Sequence, residues 1–458
     1  MQGAIAAGHR LTAEAGADVL RAGGNAVDAA VAAAAVAWVC ESPLTGPGGG
    51  GFLLFHETAS GRTRLLDFFV AVPARPAGRE ELLELAVDFD GDTQQLFHTG
   101  PAAVAVPGTA LGLWEAHRRF GSLSWAELLA PAARLAREGV ILTEQQAYLH
   151  AILDPLLRHS PEGDLLYGPG RAVDVGERFA APELGATIEL LAAEGGGVLY
   201  RGELAEKIVD HVPLTLDDLA RYEVLEREPL AVRYRAGEFR TNPPPASGGR
   251  LLAVGLEALG DAEPTPLAVA RAMEAQEAAR APGVGGTTHI SVVDAAGDAV
   301  SLSSSLGSGS GVVVPGTGIH LNNMLGEADL VAEAAPGERL TSMMAPSLLL
   351  REGRPWLVVG SAGSVRLRGA ILQVVANVAG RGLPVREAVD APRLHVEEGV
   401  AHCEDPAAAD ELEAAGYPVV RWRERNLFFG GVAAVEVLPD GSLAAAGDPR
   451  RGGEGRVA

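Results

Sequence analysis

The sequence predicts an α+β layered protein whose two halves share one core. Helix-forming stretches concentrate early, alternating apolar stretches cluster late with a few helices between them, and no internal repeat divides the chain. Of 458 residues, 47% are hydrophobic and 21% charged, enough for a substantial buried core. The 37 basic and 59 acidic residues leave a net charge of −22, and Lys207 is the sole lysine. Such a surface repels phosphate backbones, and with no basic stripe in view it argues against a nucleic-acid partner. Cys40 and Cys403 fit no C-x-x-C or His/Cys ligand spacing, so neither a disulfide framework nor a zinc site is expected. The longest apolar run, Ala29–Cys40, is 12 residues. A bilayer span takes about 20, so this reads as a buried helix and no membrane partner is expected. Residues 1–10 lack a basic segment followed by an apolar one, which makes the cytoplasm the expected compartment, or the periplasm or exterior if a leader has been removed.

Taken in order, Leu11–Cys40 reads as two consecutive helices split at Gly23–Asn25. Thr45–Gly51 (TGPGGGG) follows, then strand-like runs at Phe52–Phe55 and Arg64–Val70. Trp114–Phe120 and Trp125–Glu138 have helical periodicity, as does Leu216–Tyr222, where Thr215 and Asp218 stand at capping-box spacing. The first half is thus mostly helical. Asn242–Gly249 contains three consecutive prolines and must be an irregular loop. Beyond residue 286 the pattern alternates: His289–Asp294 and Ala299–Ser304 flank a turn and form a hairpin. Ser347–Leu350, Trp356–Gly360 and Gly431–Val437 read as strands, and Leu367–Ala379 as a helix.

Several chemistries fail on spacing. Gly46–Gly51 satisfies G-x-G-x-x-G, but it follows a helix and precedes a strand, the reverse of the dinucleotide-binding order. Its glycines instead permit close backbone approach. The serine-rich Gly307–Gly311 has the wrong spacing for a nucleophile elbow, and the eleven histidines form no short metal-ligand pair. What remains is Val284-Gly-Gly-Thr-Thr-His289 at the entry to a strand. A threonine hydroxyl there can attack the unhindered carbonyl of Gly286, converting amide to ester and then cleaving the chain. Thr287 becomes a new N-terminus. An α-amine in an unstructured peptide titrates at about 7.7–8.0, so the freed amine can serve as general base for its own hydroxyl near neutral pH.

With this segment in hand the sequence resembles the γ-glutamyltransferases of the N-terminal-nucleophile hydrolase superfamily. Nine segments in order carry the resemblance across nearly the whole chain: Glu14–Ala30, Gly48–Phe52, Val106–Thr109, Pro243–Gly249, Gly286–His289, Leu321–Asn323, Thr341–Met343, Gly360–Gly363 and Asp448–Arg450. The resemblance implies a four-layer αββα sandwich formed by two segments, 1–286 and 287–458, that stay together as a heterodimer after cleavage before Thr287, with further dimerisation open. It implies no cofactor and no metal, and a small-molecule or peptide amide as substrate. By the same resemblance Thr287 is the nucleophile and Thr288 its strand neighbour, and Ser305 stands near a second threonine that bonds the nucleophile. Gly363 and Ser364 supply the N–H groups of an oxyanion hole, and Ser364 replaces the usual glycine. Thr341 and Ser342 match the hydroxyl pair that touches a glutamyl carboxylate.

The departures concern recognition. Where the family clamps the glutamyl α-carboxylate with an arginine in Asp-x-Arg-Glu, this chain has Asp67-Phe-Phe-Val70, so Phe69 takes the arginine's place, with Arg75 six residues on as a substitute. Gly307 stands where an asparagine is expected. Met324 replaces an acidic or amide residue after the Asn322–Asn323 pair, leaving Glu327 as the contact for an α-ammonium, and Asn323 is a further substrate-binding candidate. A guanidinium–carboxylate pair is something phenylalanine cannot supply. The leading expectation is an autoprocessed hydrolase or acyltransferase acting on γ-glutamyl compounds such as glutathione. The alternatives are an amidase or acylase of the same family with another acyl group, and a non-catalytic scaffold.

Overall fold

The computed structural model describes residues 3–88, 94–279, 287–327 and 334–458. The two predicted helices lie at Arg10–Arg21 and Ala26–Cys40, and Gly23–Asn25 separates them. Asn25 caps the second: its side chain accepts from the N–H groups of Val27 and Asp28, and Asp28 accepts in return from Asn25 N–H at 3.0 Å. All fifteen residues of that helix are buried, because a sheet covers one side and Thr109–Phe120 and Trp125–Glu138 cover others.

The strands that build the two main sheets are β1 (Ala4–Ala7), β2 (Gly50–Glu57), β3 (Arg62–Phe68), β4 (Leu225–Arg227), β5 (Leu230–Tyr234), β6 (Gly237–Thr241), β7 (Thr288–Val293), β8 (Ala299–Ser305), β9 (Ser347–Arg351), β10 (Arg354–Ala362), β11 (Gly431–Val437), β12 (Leu443–Gly447) and β13 (Glu454–Val457). Among the described residues one sheet runs β13-β1-β7-β8-β2-β3-β4 and the other β12-β11-β10-β9-β6-β5. Three apolar clusters fill the layers. One lies between the first sheet and its helices, one between the second sheet and helices that include Gly248–Leu259, Pro266–Ala278 and Leu367–Arg381, and one between the sheets. This is the α+β, four-layer αββα arrangement.

The expected hairpin is β7–β8, paired from Thr288↔Ser304 to Val293↔Ala299. The first half of the chain is richer in strand than its helical periodicity implied. It supplies β1 to β4 of the first sheet, and β5 and β6 of the second follow just past the midpoint. β1 sits between β7 and β13, so residues before and after Thr287 interleave in one ladder.

The glycine run does provide close approach. A Cβ at Gly48 would lie 2.4 Å from His320 O, one at Gly49 2.3 Å from Ser305 O, and one at Gly51 2.4 Å from Ser303 O. Gly49 O in turn accepts from Gly108 N–H (2.7 Å) and Thr109 N–H (3.0 Å), and Asn322 bonds Gly48 O and Ala105 O, both at 2.9 Å. Three of the sequence segments noted above therefore converge at the start of β2.

Near the C-terminus Asp448 is buried and pairs with Arg393 (2.5 Å) and Arg450 (3.2 Å), while accepting from the Val432 and Arg450 N–H groups at 3.0 Å each. Burial alone raises its carboxyl pKa, but the two guanidiniums and the backbone donors outweigh that and hold it below the ordinary value. Its stabilisation is thus present above the unfolded-state pKa of about 3.9 and is lost as pH falls through the lower folded value. Asp448→Ala leaves the buried Arg393 guanidinium without its carboxylate, while Arg450 keeps Glu404, and is expected to cost about 3–5 kcal/mol in urea unfolding at pH 7.

Candidate active site

Strand geometry assembles the site. The register runs Ser304↔Gly51 and Gly51↔Phe68, and one step further Ser305 pairs with Gly50. A Cβ on Gly50 would lie 2.7 Å from Val70 N and 3.1 Å from Phe69 C, so Phe69 is the next member of that row. On the other side Thr288 pairs with Ser304, which brings Thr287 level with Ser305. Side chains alternate between the faces of a strand, so Thr287, Ser305, Gly50 and Phe69 form one cross-strand row on the face toward the second sheet. Thr287 is buried, at 3% exposure. Ser305 Oγ accepts from Gly307 N–H at 2.8 Å. Gly286, on the other side of the expected scissile bond, lies outside the described residues.

Thr288 points the opposite way, and its hydroxyl donates to Glu41 Oε2 at 2.5 Å. Thr12 Oγ1 donates to Glu41 Oε1 at 2.9 Å. Sequence reasoning missed Glu41. The available signal was an acid placed directly after a run of apolar residues and before the glycine-rich segment. Burial raises its pKa, partly countered by the two threonine hydroxyls and by Arg451. His289, one residue on, is fully buried between Ser303 Oγ (2.8 Å) and Ser291 Oγ (3.0 Å), and desolvation lowers its pKa to about 3. A neutral, enclosed ring of that kind is a packing element.

That ring is pressed against β10: a Cβ at Gly360 would lie 2.2 Å from His289 Cε1. β10 ends at Ala362, which lines a cavity of about 20 Å³ together with Glu41, His289, Gly431, Asp448 and Arg451. The start of β7 and the end of β10 therefore meet at one edge of the sandwich. Gly363 and Ser364 follow immediately, with φ of 125° and 58°. Both are left-handed values that favour glycine, and Ser364 is a non-glycine residue holding one.

The residues expected to contact a glutamyl head are mostly engaged elsewhere. The Phe69 side chain is 1% exposed and stacks on Phe52 with ring centroids 5.4 Å apart. Arg75 is exposed on the loop after β3. The Asn323 amide accepts from Ser308 N–H (2.9 Å) and donates to Ser308 Oγ (2.7 Å) and His98 O (3.3 Å), so it holds the Gly307–Ser308 turn. Glu327 lies at the same turn, 2.7 Å from where a Gly307 Cβ would be. Thr341 Oγ1 donates to Pro245 O at 2.7 Å, and Ser342 Oγ accepts from Met344 N–H at 3.1 Å. Ser342 O receives Ser247 N–H and Gly248 N–H, which joins this segment to the proline loop. Met324 is buried in the apolar cluster between the sheets.

The family model described as gamma-glutamyltranspeptidase matches residues 12–277 and 261–458. The chain belongs to the gamma-glutamyltranspeptidase family. Two relatives bracket this member. The glutathione hydrolase proenzyme of Pseudomonas aeruginosa is 33% identical over 539 residues, covering 99% of this chain and 94% of that protein. The acylase ACY 1 proenzyme of Pseudomonas sp. strain SE83 is 32% identical over 516 residues, covering 97% and 91%. Among solved structures, the cephalosporin acylase from Bacillus halodurans superimposes with a TM-score of 0.84 at 27% identity, covering 99% of this chain and 95% of its own. The gamma-glutamyltranspeptidase of Helicobacter pylori gives 0.52 at 28% identity, covering 59% and 80%. This chain is thus a gamma-glutamyltranspeptidase-family hydrolase, in a family whose members include glutathione hydrolases and acylases.

Proposed function

We propose that this protein is a self-cleaving amide hydrolase of the acylase kind, with Thr287 as nucleophile and an acyl group that lacks the charged amino-acid head of glutamate. The observation that carries the reading is Phe69, in the cross-strand row that contains Thr287 and packed on Phe52. An α-carboxylate brought there would be desolvated against aromatic surface without a guanidinium partner. The nearby Arg339 is committed: its guanidinium lies 3.4 Å from Asp67, bonds Glu223 O and covers the Tyr222 ring at 4.3 Å. Thr341 and Ser342 already bond backbone groups.

Catalysis then follows the chemistry of an N-terminal threonine. The α-amine freed by cleavage takes the proton of Thr287 Oγ, the oxygen attacks the substrate carbonyl, and the N–H groups of Gly363 and Ser364 receive the developing oxyanion. The leaving amine departs with that proton, and water repeats the sequence on the acyl-enzyme. The test compares kcat/KM for a glutaryl anilide, which lacks the α-amino and α-carboxylate groups, with that for the γ-glutamyl anilide. Wild type is expected to favour the glutaryl compound by at least about tenfold, and Phe69→Arg, checked for folding by thermal melting, to narrow the gap. A large wild-type preference for the γ-glutamyl anilide would return the assignment to glutathione hydrolysis or γ-glutamyl transfer.

A further inference from the structure

Glu41 stands where two parts of the site meet. It terminates the buried helix Ala26–Cys40 and is 3% exposed, and its two carboxylate oxygens each take a threonine hydroxyl, from Thr12 and Thr288. Room for it is made by Gly8, where a Cβ would lie 2.5 Å from Glu41 Oε2 and 3.3 Å from Thr288 Oγ1. Across the cavity of about 20 Å³ stands Arg451. Arg451 lies along Gly431, and its Nη2 comes within 3.2 Å of where a Cβ on Gly363 would be. Its Nε is buried and without a hydrogen-bond partner among the described residues.

We infer that Glu41 is a positioning residue for the nucleophile, acting through Thr288. The inference rests on reading Thr287 as the nucleophile. Thr287 and Thr288 are consecutive on an extended strand, so their side chains project to opposite faces. Anchoring the Thr288 hydroxyl on one face fixes the rotation of the strand end, and with it the direction of Thr287 Oγ on the other. The anchor gains importance once cleavage leaves Thr287 covalently attached on one side only. A misplacement of about 1 Å at a reacting atom costs about 10²-fold in rate.

The test uses the full chain carrying Glu41→Gln, Thr288→Val, both together, or Thr288→Ser. The readouts are the rate of self-cleavage by intact mass, and kcat and KM on whichever of the two anilides wild type hydrolyses faster. Glu41→Gln and Thr288→Val preserve shape, and melting temperatures verify folding. Each is expected to lower self-cleavage and kcat by about 10–100-fold with KM within about twofold. The double variant should be no slower than the slower single, because both remove one interaction. Thr288→Ser, which keeps the hydroxyl, should stay within about threefold of wild type. Rates near wild type in both single variants would overturn the inference, as would multiplicative losses in the double or a change confined to KM. Thr287→Ala separates this from failure of the functional reading. If Thr287→Ala turns over, that reading falls; if it is dead while the Glu41 and Thr288 variants are normal, only the positioning role falls.

Discussion

Thr287→Ala is expected to persist as a single species at the full 47.2 kDa and to show no turnover, while wild type resolves into two pieces of unequal size. The two losses occur together because one hydroxyl is proposed to serve twice, first against the Gly286 carbonyl and then against substrate. Removing it takes away both the cleavage that frees the α-amine and the nucleophile that the amine activates. Intact-mass analysis after incubation at neutral pH reads the first effect, and an anilide assay the second. A wild-type chain that stays whole for days would remove the basis of the mechanism. The interleaving of β1 with β7 and β13 implies that the two pieces stay associated after cleavage, since separating them would break a ladder paired on both sides.

Ser364→Pro is expected to lower kcat by at least about 10²–10³-fold, the loss typical for one oxyanion donor. Proline has no N–H, and its ring fixes φ near −65°, whereas Ser364 holds φ at 58°. Ser364→Gly keeps the donor and relieves the left-handed strain, so it should retain activity and gain a few tenths of a kcal/mol in stability. Gly363→Ala should fail for a steric reason: its φ is 125° and the added Cβ would lie 2.7 Å from Gly430 Cα. Steady-state rates with melting temperatures distinguish a lost donor from a lost loop. A Ser364→Pro enzyme with wild-type kcat would move the oxyanion hole elsewhere.

A purely structural reading of Glu41 predicts that its variants lose melting temperature and rate in proportion, whereas the positioning role predicts a rate loss at unchanged KM. Phe69 and Glu41 thus probe different properties of one site, the choice of acyl group and the aim of the nucleophile.

Local chemistry determined much of this protein directly. The capped helix pair, the hairpin after residue 286 and the strand at Gly431–Val437 all follow from periodicity, capping residues and turns, which act within a few residues. The glycine run was legible for the same reason, since repeated absence of Cβ has few uses other than close approach. β1 was not legible. All four of its residues are 0% exposed, so Ala4–Ala7 shows none of the alternation that a strand with one wet face displays. The substrate-facing roles of Asn323, Thr341 and Ser342 were also not decided by sequence, because a hydroxyl or amide bonds whichever donor or acceptor the fold brings near, and here that is backbone. Tertiary structure alone placed Phe69 in the row of Thr287, four positions drawn from two distant stretches of chain, 50–69 and 287–305. It alone set Glu41 behind Thr288 and Arg451 beside Gly363. Such contacts depend on the register of paired strands and the packing of layers, which no short stretch of sequence contains.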